Sequence, residues 1–73
     1  MEQQIKLLDI VALLEDLSSD KLRKGDMGTV VEIFDNGFVE VEFSDKQGVS
    51  HAFVDISKEK LLLLHDEPAS VFA

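Results

Sequence analysis

Few side chains in this 73-residue chain could do chemistry, and each has a plainer use. His51 falls in an alternating run and reads as a half-exposed strand residue. His65, Asp66 and Glu67 are metal-ligand types, but three consecutive residues on one segment cannot converge on an ion with defined geometry. Ser18 and Ser19 have neither a base nor an orienting acid beside them and read as loop residues. Absence of cysteine excludes disulfides and thiolate metal sites. Carboxylates are abundant, and an acidic surface accounts for them without catalysis. An active site also needs a concave pocket, whereas a small β barrel fills its interior with its own side chains. The expectation is no enzyme, with no catalytic residue, no metal ligand and no cofactor.

Three other groups bear on binding. Lys21, Arg23 and Lys24 form a local basic cluster. A nucleic-acid surface needs such a cluster, but the formal net charge of −8 sets an opposing field, so the cations read better as solvated or salt-bridged loop residues. Gly25 and Gly28 bracket Asp26-Met27, and both are expected at a tight bend with positive φ. The spacing lacks the Lys-Ser/Thr ending of a phosphate-cradling loop. Phe34 and Phe38 flank a turn, either as a cross-strand aromatic pair that stabilises a hairpin or as a contact surface for a partner.

These residues need elements to hold them. The runs 29–34 and 38–43 alternate with strand period and are rich in β-branched and aromatic residues. Between them, Asp35-Asn36-Gly37 admits two registers. A two-residue Asn-Gly loop would mix core and solvent positions on each face. A three-residue loop with Gly37 left-handed pairs Ile33 with Val39, Val31 with Val41, and Phe34 with Phe38. That register predicts one core face of Val31, Ile33, Val39, Val41 and Phe43. It also places Glu32 opposite Glu40, which a nearby Lys or Arg would have to offset.

Residues 7–17 permit two patterns: helical spacing through Ile5, Leu8, Ala12 and Glu15, or alternation through Ile10, Ala12 and Leu14. A lone hairpin needs more strands or a covering helix, and a strand near 10–16 is the preferred reading. Ser18 to Lys21 is a loop by composition. Val49 to Val54 is a third alternating run. Its register is open: Val41 opposite Ala52 with Glu42 opposite His51, or Val41 opposite Phe53. The first spares the histidine from burial and is preferred. Ser57 can cap one short helical turn before a buried last strand, Leu61 to Leu64, which ends ahead of Pro68.

The length allows one small, marginally stable domain. Residues 1–6 are expected to be a flexible N-terminus, 7–65 the domain and 66–73 a C-terminal tail with an apolar tip at Val71-Phe72. The longest apolar run, Leu61 to Leu64, is far too short to span a bilayer. Met1-Glu2-Gln3-Gln4 lacks the basic start of a signal peptide, and the cytoplasm is the expected compartment. About five short strands, tight turns and one helical turn fit a mostly β fold, a small SH3-like antiparallel barrel.

Three segments together carry a resemblance: Leu7 to Leu17, Arg23 to Glu32, and Val41-Glu42-Phe43 with Asp45 and Gly48. The chain resembles a family of small bacterial proteins known only as a domain of unknown function, over roughly residues 7–64. The resemblance implies an SH3-like barrel and supports a strand over residues 10–16. It carries no established activity, so no catalytic residue transfers. Members commonly have a proline after the first strand and a glycine or asparagine just before Leu22, where this chain has Ser18 and Lys21. A shorter likeness, Gly25-x-x-Gly28-x-Val30, is similar to the KOW element of ribosomal and transcription proteins, which are typically basic.

The functional expectation is a non-catalytic protein-interaction module or accessory subunit, with Phe34 and Phe38 as candidate partner-binding residues for an unidentified protein. The alternative is a KOW-like nucleic-acid-binding domain using Lys21, Arg23 and Lys24. A weak homodimer is also expected, through an unpaired edge with Phe34, Phe38, Val71 and Phe72. No membrane contact is expected.

Overall fold

The computed structural model describes residues 4–44 and 51–65, without the side chains of His51 and His65. Five strands, β1 (Ile10–Leu13), β2 (Met27–Ile33), β3 (Phe38–Ser44), β4 (His51–Ser57) and β5 (Leu61–His65), form one antiparallel sheet in the order β4-β3-β2-β1-β5. The 3-10 turn Lys58–Lys60 carries the chain from one end of that order to the other. Ser57 caps it as the sequence predicts, its hydroxyl accepting the Glu59 amide at 3.4 Å. A second 3-10 turn, Ser18–Asp20, lies where composition reads only a loop.

All five strands feed one core: Val11, Leu13, Val30, Val39, Val41, Phe43, Ile56 and Leu61 are buried together. No helix layer covers the described sheet, so it buries one face only by curving over itself. The fold is the mostly β, small SH3-like antiparallel barrel that alternation and turn chemistry predict.

The central hairpin keeps its predicted loop. Gly37 has a φ of 86°, and the Phe34 amide donates to the Phe38 carbonyl at 3.0 Å. Ile33 pairs with Val39 and Glu32 with Glu40. Beyond that the register departs from expectation. A bulge between Val30 and Glu32 sets Val30, not Val31, opposite Val41. Val30 is therefore the core residue and Val31 is half-buried. Ile33 holds its pairing but lies at the end of the strand, 37 % exposed. A bulge inserts one residue and increases local bend, as a small sheet curving over one core requires.

The β3/β4 register is neither of the two expected: Val41 lies opposite Val54, Glu42 opposite Phe53 and Ser44 opposite His51. It differs by two residues from the preferred one, so the same faces turn inward while every partner changes. Ile56 enters the core and Phe53 is 58 % exposed.

β1 is a strand, but shorter than residues 10–16. Its core-facing residues are Val11 and Leu13, not the alternate set Ile10, Ala12 and Leu14. Strands flank it on both sides, β2 and β5, and the small outward-facing Ala12 is buried between its larger paired neighbours Met27 and Leu62. Gly28, opposite Val11, does not have the positive φ expected of it. Of the described glycines, Gly25, at 93°, and Gly37 do.

Ile5, in the polar N-terminal stretch, joins the core. The turn that follows brings the chain into β1. The Asp9 amide donates to Lys6 O, and the Asp9 side chain accepts the Lys6 amide at 2.6 Å. Leu8 has a φ of 72° there, uncommon for a residue with a side chain. Asp9 is 1 % exposed, and its second carboxylate oxygen finds no partner among the described residues.

Candidate binding surface

β2, β3 and β4 present their outward residues on one continuous face. Side chains alternate along a strand, so with Val39, Val41 and Phe43 turned inward, Phe38, Glu40 and Glu42 turn out. Pairing carries this across the sheet. Glu40 lies directly opposite Glu32 on one side and Asp55 on the other. Three carboxylates thus form one row over three adjacent strands. The next row is Thr29, Glu42 and Phe53.

The hairpin turn closes one end of this face. Phe34 and Phe38 are 36 % and 40 % exposed, beside the turn as the sequence places them. The Asn36 side chain accepts the Phe38 amide at 3.2 Å, and the Lys58 amide donates to Gly37 O at 3.0 Å. The first bond closes the hairpin turn on itself, and the second ties it to the 3-10 turn that follows β4. Phe34, Asp35, Asn36, Phe38 and Asp55 line a shallow cleft of about 520 Å³ there. Its surface offers two aromatic rings, an amide and two carboxylates, and the turn presents neither a nucleophile–base pair nor a cation.

Sequence reading found the two phenylalanines and the Glu32–Glu40 pair but missed Asp55. Its place in the row depends on the β3/β4 register, which alternation leaves open by steps of two residues.

The other candidates are dispersed. Lys21, Arg23 and Lys24 are exposed on the β1–β2 connection. Two of their amides are held by carboxylates of that same connection: Arg23 N donates to Asp26 at 2.9 Å and Lys24 N to Asp16 at 2.8 Å. Ser18 and Ser19 are exposed in the first 3-10 turn. His51 and His65 begin β4 and end β5. Asp66, Glu67, Val71 and Phe72 lie outside the described residues. Among the described residues no group of three or more His, Asp or Glu is placed to hold a metal ion, the carboxylate row included. No helix among them is long and apolar enough to cross a membrane.

Residues 7–63 match the model of a family described as a domain of unknown function, DUF4926. The chain belongs to this family. The DUF4926 match takes in β1 to β4 and most of β5, hence the hairpin, the cleft and the carboxylate row. No curated protein and no solved structure matches the chain.

Proposed function

We propose that this DUF4926 domain is a non-catalytic protein-interaction module or accessory subunit, and that the outer face of β2, β3 and β4 is its contact surface. One observation carries the reading: Phe34 and Phe38 stand exposed together over a cleft, while the core is complete without them. Aromatic residues beside a cleft are what interface anchors look like. A cross-strand pair needs only mutual contact to stabilise a hairpin. The test is affinity capture from the native cell with the wild-type domain and with the Phe34→Ala/Phe38→Ala variant. A protein held by the first and lost by the second, with both domains folded, supports the reading. An identical set of captured proteins overturns it.

Nucleic-acid binding through Lys21, Arg23 and Lys24 has less support, because Arg23 and Lys24 sit among carboxylates of their own loop. Binding to RNA or DNA at physiological salt is expected to be absent or non-specific. A sub-micromolar, salt-sensitive affinity abolished by Arg23→Ala with Lys24→Ala reverses that order.

A further inference from the structure

The carboxylate row points to the chemistry of the partner, an inference that rests on the interaction reading above. Directly paired positions hold their β-carbons roughly 4.5–5.5 Å apart, and like charges placed so destabilise a sheet. Glu32, Glu40 and Asp55 therefore repel one another in the free domain. The offsetting cation that the sequence calls for is not supplied by these strands: β2, β3 and β4 contain no Lys or Arg. Nor does any ion pair from the described residues reach these three side chains. At the end of the row, the cleft sets the rings of Phe34 and Phe38 beside Asp35 and Asp55. Aromatic faces and carboxylates both attract a guanidinium or ammonium group, the first through the ring quadrupole and the second through charge-assisted hydrogen bonds.

We propose that this face binds a basic, extended segment of a partner protein. One Arg or Lys side chain occupies the Phe34/Phe38 cleft, and further cations lie along Asp55, Glu40 and Glu32. Binding removes the repulsion within the row, so the complementarity favours the complex twice. A second copy of this chain does not suit the same face, since it would set one carboxylate row against another in a molecule of net charge −8. Phosphates of a nucleic acid are excluded for the same reason.

The test uses two synthetic peptides, acetyl-Ala-Arg-Ala-Lys-Ala-Arg-Ala-amide and its counterpart with glutamine at the three charged positions, titrated into ¹⁵N-labelled domain. Shifts should gather on residues 32–40 and 53–57 with the basic peptide and be absent with the neutral one. Glu40→Gln with Asp55→Asn should weaken binding by roughly tenfold or more, and so should Phe34→Ala with Phe38→Ala. Glu15→Gln with Asp20→Asn makes the same charge change away from this face and should alter affinity by less than about twofold. Equal weakening by both charge variants means attraction to the net charge alone and overturns the proposal. Shifts centred elsewhere, or equal binding of the two peptides, also overturn it. Absence of binding does so too; in that case a cellular partner lost on Phe34→Ala/Phe38→Ala leaves the interaction reading standing, and no such partner removes both. Spectral dispersion of each variant reports its folding, and the carboxylate variant tests the proposal even if the phenylalanine variant unfolds.

Discussion

Gly28 lies so close to Val41 that a β-carbon at position 28 would stand 2.6 Å from the Val41 Cγ1. The same carbon would meet Glu42 O at 2.8 Å and Phe43 Cδ1 at 3.0 Å. A backbone oxygen in a paired strand cannot swing aside as a side chain can. Glycine is thus required here for space, where β2 crosses the core against β3, and not for a left-handed conformation. Gly28→Ala should destabilise the domain by about 1–3 kcal/mol, the range for overpacking a core. Urea denaturation measures it, and a loss of only a few tenths would show that the strands separate at little cost.

The bulge in β2 makes neighbouring valines unequal. Val30 is fully buried opposite Val41, whereas Val31 is half-buried. Val30→Ala and Val41→Ala should each cost roughly 1–3 kcal/mol, and Val31→Ala distinctly less. Because Val30 and Val41 are paired and buried in one core, their combined loss should depart from the sum. The same denaturation series reads both results. A larger loss from Val31→Ala than from Val30→Ala would contradict the bulge.

Lys21 has a φ of 59° and ends the first 3-10 turn in the left-handed region. Its amide donates to Ser18 O at 3.1 Å, and the Leu17–Leu22 bridge closes the loop around it. A side chain with a full Cβ is held there against its preference, where asparagine is at ease. Lys21→Asn should stabilise by about 0.5–1 kcal/mol. Thermal unfolding checks the sign, and a lower midpoint would mean that the lysine makes an offsetting contact.

The sequence places a weak homodimer at Phe34, Phe38, Val71 and Phe72. The last two lie outside the described residues and carboxylates flank the first two, so self-association is proposed instead for the opposite part of the outer surface. Met27, Ala12 and Leu62 form an apolar row across β2, β1 and β5, with Leu64 exposed on the end strand β5. Net charge opposes the approach of identical copies, so a weak dimer should strengthen as salt screens that repulsion. Sedimentation equilibrium at low and high salt, with Leu62→Lys as the disrupting variant, measures this. A monomer at every concentration into the millimolar range ends the proposal.

Alternation along the chain determined the strands β2, β3 and β4 and the three-residue loop at Asp35-Asn36-Gly37, whereas residues 7–17 permitted a helix as well as the strand β1. That loop was legible because a one-residue slip there reverses every side chain, and the strands on both sides have a clear inner face. The same rule explains what stayed hidden. A shift of two residues leaves both faces unchanged, so the pattern of Val49 to Val54 could not tell Val41–Ala52 from Val41–Val54. With that register went the place of Asp55, and with Asp55 the carboxylate row and the composition of the cleft. The tertiary structure also decided the bulge at Val31, the close approach at Gly28 and the core-facing side of β1. Each of these depends on how a five-stranded sheet must bend to close over one core, and that curvature arises between strands far apart in the chain.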